Sequence, residues 1–160
     1  MTSALALWQW LNRVLEHAQS PAALLARLYL AQVFFLSGLT KLRDWSVTLA
    51  LFTDEYKVPL LPPALAAALG TTGELVLPLL LLAGLGGRFA ALGLSVVNAV
   101  AVISLHEIAP AALQLHITWG VLLAALALYG SGHWTLDSYL RHRWPALSGQ
   151  RSGAAGKIGT

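Results

Sequence analysis

Gly70 to Arg88 reads GTTGELVLPLLLLAGLGGR, and this stretch decides the fold. Together with the preceding PALAAAL, from Pro63, it makes an apolar run to Leu85 that spans about 34 Å as a helix, enough to cross a bilayer. The glycines at 84, 86 and 87 then permit the tight reversal that a second span needs. One carboxylate, Glu74, falls in the middle of the run. A charge at that depth is costly, by about 2.5–3.5 kcal/mol on insertion scales, and marks a functional-site candidate.

The whole chain agrees. Of 160 residues, 57% are hydrophobic and 11% charged, and the mean hydropathy is +0.67, outside the range of soluble domains. The net charge of +3 comes from basic residues scattered between apolar runs and forms no stripe, so a nucleic-acid partner is not expected. The absence of cysteine rules out a disulfide, a dithiol couple, a thiolate-ligated iron–sulfur cluster and covalent c-type haem within this chain. Any electron carrier would be borrowed. No signal-type block with a cleavage site opens the sequence, so no cleaved leader is expected.

Working outward, the fold class is all-α: a four-transmembrane-helix bundle with amphipathic interfacial helices at both termini. Residues 1–20 read as the first interfacial helix, with Leu5, Trp8, Leu11 and Leu15 on one side and Asn12, Arg13, Glu16 and His17 elsewhere. Ser20-Pro21 looks like a cap and first-turn proline opening span one, 21–42. Spans two to four follow at 63–85, 88–106 and 111–129, giving a membrane domain of 21–130. A second interfacial helix is expected at 133–147 and a disordered tail at 148–160. The loop between spans one and two, about twenty residues, is long for a connection and includes Trp45 to Phe52, which suits a short interfacial helix. Arg13, Arg27, Arg88, Arg141, Arg143, Arg151 and Lys157 fall on one side, against Lys41, Arg43 and Lys57 on the other. That asymmetry predicts both termini in the cytoplasm.

Depth counting puts Gln32, Glu74 and Asn98 near one level on spans one, two and three, which suggests a hydrogen-bonded layer between helices. Ala66 and Gly70, two turns and one turn before Glu74, let a neighbour approach its face, and Pro78 frees a carbonyl in the same region. Arg27, Ala31, Phe34, Gly38 and Lys41 share one face of span one, whereas Gln32 points away from it. Three readings of Glu74 stand together: a protonated or hydrogen-bonded packing residue, a proton acceptor and hydrogen-bond partner for a quinone or substrate, or one half of a structural ion pair. The catalytic candidates are thus Glu74 and Lys41, with Gln32, Asn98 and Arg27 as cofactor-binding candidates. A second constellation, His106, Glu107 and His116, lies between spans three and four near Lys41, Tyr56 and Trp119. Imidazoles with a carboxylate can hold a transition metal or a substrate, or as a pair haem, yet HEIAPAALQLH matches no specific metal signature, and interfacial or hydrogen-bonding histidines are the first reading.

LARLYLAQVFFLSGLTKL (Leu25 to Leu42), GELVLPLLLLAGLGGRFAALGL (Gly73 to Leu94) and WGVLLAALALYGSGHWTLD (Trp119 to Asp137), in that order and spacing, resemble the DoxX family of small membrane proteins. Arg27, Gly38, Lys41, Glu74, Gly84 and Arg88 are the positions that match the family pattern. The resemblance implies a four-helix bundle in the bacterial inner membrane and a role as a membrane subunit of a redox system. Related proteins include quinone-reducing, thiosulfate-oxidising enzymes of sulfur-metabolising archaea, oxidative-stress complexes with a sulfurtransferase and superoxide dismutase, and companions of small metal-binding modified peptides. The expected partners are therefore the lipid bilayer and other membrane or periplasmic redox or metal proteins, with a homo-oligomer in prospect. The alternative expectation is a non-catalytic anchor or partner of a metal-handling or stress-response system. The missing cysteines weigh against direct sulfur chemistry in this chain.

Overall fold

The structure, a computed structural model, describes residues 2–130, 132 and 134–143. They form six helices: α1 (Thr2–Arg43), α2 (Trp45–Asp54), α3 (Pro63–Ala83), α4 (Gly87–Ser104), α5 (Pro110–Tyr129) and α6 (Leu136–Arg143). Among the described residues there is no strand, and α1, α3, α4 and α5 are long and apolar enough to cross a membrane. The all-α architecture with four spans is as expected. The expected tail, and the second interfacial helix beyond Arg143, lie outside the described residues.

One expected boundary is absent. Ser20-Pro21 opens no new helix; α1 runs unbroken for 42 residues with Pro21 inside it. The flanking segments are rich in Ala, Leu and Gln, good helix formers, and the proline removes only the main-chain bond to the His17 carbonyl. The remaining ends follow local chemistry. Asp44 caps α2, its Oδ1 accepting from the Val47 amide at 3.0 Å and from Ser46 Oγ at 2.7 Å. Prolines begin α3 and α5 at their first turns. Gly84, with φ of 68°, ends α3 in the left-handed conformation and Gly86, with φ of 55°, turns the chain into α4, geometry that a side chain would strain.

α1 lies on α3, α3 on α4 and α4 on α5, while α5 returns to α1 only lightly. The core is Leu30 and Phe34 of α1, Leu81 of α3, Ala90, Ala91 and Leu94 of α4, and Leu123 and Leu126 of α5. Large apolar side chains such as Leu36, Leu79, Val96 and Val121 face outward, as they do where lipid is the solvent and helices associate by close packing. Gly38 makes one such close contact: a Cβ there would sit 2.8 Å from Leu75 Cγ and 3.2 Å from Glu74 Cβ. α2 covers the start of α3, with Phe52 packed on Ala66 and Ala67 in a second small core.

Candidate functional site

The close approach at Gly38 sets two charges against each other. Lys41, one turn further along α1, donates from Nζ to Glu74 Oε2 of α3 at 2.6 Å and to Ser37 Oγ at 2.9 Å. Glu74 is 7% exposed. Its Oε1 has no hydrogen-bond partner among the described residues. Pro78, four residues on, has no amide hydrogen to offer the Glu74 carbonyl. Thr71, three residues before Glu74 on the same buried face, holds a hydroxyl with no hydrogen-bond partner among the described residues. A buried hydroxyl left unmatched costs about 1–3 kcal/mol, which favours any ligand that can satisfy it.

α2 roofs this site. Thr48 Oγ1 donates to the Lys41 carbonyl at 2.8 Å, tying the start of α2 to the end of α1. Phe52 lies beside Gly70, 3.7 Å from where its Cβ would be, and stacks with Tyr56 at a centroid distance of 5.0 Å. Beyond α2 the Lys57 amide donates to the Ser104 carbonyl of α4 at 2.8 Å, so the loop is anchored at both ends. The Tyr56 phenol is pushed above its ordinary pKa by burial first, then by the negative charges of Glu55 and Glu74. It therefore stays protonated, a hydrogen-bond donor, through the neutral range. A cleft of about 250 Å³ lined by Phe52, Tyr56, Lys57, Val58, Leu61 and Pro63 opens beside it.

The other expected site residues are placed differently. Gln32 is exposed on the outer face of α1. Asn98 is buried but faces α5: Nδ2 donates to the His116 carbonyl at 2.9 Å and Oδ1 lies 2.8 Å from His116 Nδ1. Gln32, Glu74 and Asn98 thus form no common layer, because each rotates with its own helix face. The Asn98 clamp also sets the imidazole: with Nδ2 donating, Oδ1 must accept, so Nδ1 carries the proton and Nε2 is the acceptor. The His116 ring meets Trp119 edge-on at 4.9 Å, and Trp119 Nε1 donates to Tyr29 OH of α1 at 3.0 Å. His106 and Glu107 are exposed in the α4–α5 loop. Among the described residues no three His, Cys, Asp or Glu side chains gather to hold a metal, so His106, Glu107 and His116 are not brought together as a ligand set.

Arg27 is 2% exposed, and its guanidinium serves the main chain: Nε donates to the Leu81 carbonyl at 2.8 Å, Nη2 to the Leu82 carbonyl and Nη1 to the Trp134 carbonyl at 2.8 Å. The Leu81 and Leu82 carbonyls lie in the last turn of α3, where a cation also complements the helix dipole; the Leu81 carbonyl accepts from the Gly84 amide as well, at 3.2 Å. Lys41 is fourteen residues further along α1, about 21 Å away.

A family model described as DoxX matches residues 22–107, which contain every residue of the Lys41–Glu74 site. The chain belongs to the DoxX family. This DoxX protein is 31% identical over 134 residues to a protein of Haemophilus influenzae described as uncharacterised, an alignment covering 78% of the chain and 87% of that relative. No solved structure matches it. With the four apolar helices, membership makes the DoxX protein a multi-pass membrane protein in contact with the lipid bilayer.

Ser37 and Thr71 were missed in the sequence, although both signals were legible: Ser37 precedes Lys41 by four residues and Thr71 precedes Glu74 by three, the two spacings that share a helix face. Thr48 and the Trp134 carbonyl carry no such signal, since both reach their partners across the tertiary fold.

Proposed function

We propose that this protein is a membrane subunit of a redox system in the bacterial inner membrane, and that the Lys41–Glu74 pair under α2 receives a quinone headgroup. The observation that carries the reading is the unmatched Thr71 hydroxyl one turn from a 2.6 Å ammonium–carboxylate contact. A quinone offers two carbonyl acceptors and, when bound, takes up two electrons and two protons; the electrons come from a partner protein, since the chain has no cysteine-based carrier. The donors that suit such carbonyls are Thr71 Oγ1, Lys41 Nζ and the Tyr56 phenol. Lys41 holds a proton at Nζ between Glu74 and Ser37, and Glu74 Oε1 is the acceptor through which that proton is replaced. Phe52 and Tyr56 supply flat apolar surface and keep water from the pair.

Glu74→Gln tests this. The amide oxygen still accepts from Lys41, so the bundle stays folded while the proton carrier is lost. Binding of a short-chain quinone, followed by tryptophan quenching in detergent, is expected to weaken at least tenfold with the thermal midpoint little changed. Unchanged quinone binding, or destabilisation with no effect on binding, rejects the proposal and leaves the non-catalytic partner of a metal-handling or stress-response system as the reading.

A further inference from the structure

A second cavity lies well away from Lys41 and Glu74. It is a cleft of about 1070 Å³ between α1 and α5 at the Arg88 end of the bundle, where those two helices fail to close on each other. The gap has a sequence cause. α1 presents Ala22, Ala23 and Ala26 and α5 presents Ala125 between Leu122 and Leu126, so short side chains face each other across a space that longer ones would fill. The cleft is polar at one end and apolar along its walls. Gln19, Arg88, Thr135 and Ser138 line the polar end, and Gly132 closes it by crossing against Ser20 and Ala23.

Arg88 is exposed, and among the described residues it has no hydrogen-bond or ion-pair partner. The acid nearest in the cleft lining, Asp137, accepts the Gly86 amide at 2.8 Å through Oδ2 and so already answers the positive end of α4. Arg88 is left as the cation of the rim. Protein interiors are close-packed, and a space of this size in a membrane-spanning bundle fills with what surrounds it. In a bilayer that is lipid: acyl chains suit the alanine and leucine walls, and the sign of the headgroup is set by Arg88. Basic pockets between membrane helices bind anionic headgroups in this way.

We propose that the α1–α5 cleft is a binding site for an anionic phospholipid, its acyl chain lying between Ala26 and Ala125 and its phosphate on Arg88, so that one bound lipid completes the fourth side of the bundle. This site is independent of the proposed quinone site, and its test does not use quinone turnover.

The experiment takes the full chain, delipidated in mild detergent, and titrates phosphatidylglycerol or phosphatidylcholine while native mass spectrometry counts bound lipids and a thermal melt reports stabilisation. The expected result is one retained phosphatidylglycerol that raises the melting midpoint, with phosphatidylcholine bound more weakly. Arg88→Gln should reduce that preference about fivefold, the effect of one cation near a charged headgroup, without loss of helicity. Ala125→Trp should abolish retention of both lipids by filling the cleft. If Ala125→Trp does not fold, Ala22→Leu, which enlarges an exposed side chain on the opposite wall, replaces it. Equal binding of the two lipids, a preference that survives Arg88→Gln, or a copurifying quinone or second copy of the chain lost on filling the cleft would each overturn the proposal.

Discussion

Two cations on one face of α1, Arg27 and Lys41, are both withdrawn from water, and their surroundings differ in kind. Arg27 donates to three main-chain carbonyls from two parts of the chain and so ties the end of α3 to the segment before α6. Lys41 meets one carboxylate and one hydroxyl, with the free Glu74 Oε1 and the unmatched Thr71 hydroxyl close by. A saturated cation does structural work, and one bordered by unmet hydrogen-bonding capacity is where a ligand gains most. The planar guanidinium fork suits the first task, and a flexible ammonium that can give up a proton suits the second.

The largest effect should come from breaking the saturated side. Arg27→Met removes the charged donor from the Leu81, Leu82 and Trp134 carbonyls, of which, among the described residues, only Leu81 keeps another, the Gly84 amide, and hydrogen bonds to a charged group contribute about 1.5–3 kcal/mol each. Loss of most folded protein in detergent is expected, measured by thermal melting and yield, with Arg27→Lys only partly restoring it because one ammonium cannot match the fork. A stable Arg27→Met protein would break the comparison.

On the open side the two partners should behave unequally. Lys41→Met strands a buried carboxylate, which costs about 3–5 kcal/mol, whereas Glu74→Gln keeps an acceptor for the ammonium and should alter quinone affinity far more than stability. Measuring both variants by melting and by ligand binding separates the pair's packing from its chemistry.

Asn98 sharpens the comparison from a third position. It has the same buried setting as Glu74, yet its amide is matched on both atoms by His116. Asn98→Leu removes two hydrogen bonds between membrane helices, each contributing about 0.6 kcal/mol on average, so a cost of about 1 kcal/mol is expected. Quinone binding should not change.

The smallest expected effect concerns the roof. The Asp44 carboxyl is held below the ordinary carboxylate range first by the Val47 amide and then by the Ser46 hydroxyl. Its folded pKa is lower than its unfolded one, so the cap's contribution is present above the unfolded value and is lost as pH falls through the folded value. Amide exchange at Val47, corrected for intrinsic rates, should become faster in acid while the exchange of α3 stays slow. No change in acid would mean that Thr48 and Phe52 alone hold α2 over the pair.

Much of this was legible in one chain. The 4, 3, 4, 3 spacing from Arg27 to Lys41 placed one face of α1 inward, and Arg27, Ala31 and Phe34 are indeed buried there. Ala66 and Gly70 announced a close neighbour, which is Phe52 of α2. Depth counting misled at Gln32 and Asn98, because equal depth says nothing about rotation, and each helix turns 100° per residue. The break expected at Ser20-Pro21 failed for another reason: proline at that point is compatible with a helix that neighbouring residues already favour.

By itself the sequence determined that the chain is an all-helical membrane protein with four spans, since length and hydrophobicity act residue by residue and need no partner. It also singled out Glu74, because an acid in an apolar run is conspicuous without any structure. Only the tertiary structure decided whom Glu74 meets. Partner choice depends on the rotation and offset of α1 against α3, which Gly38 permits by letting the helices touch, and on α2 folding back to cover them. The same geometry left α1 and α5 apart, because alanines on both faces cannot bridge a gap that the α1–α3 and α4–α5 contacts had already fixed.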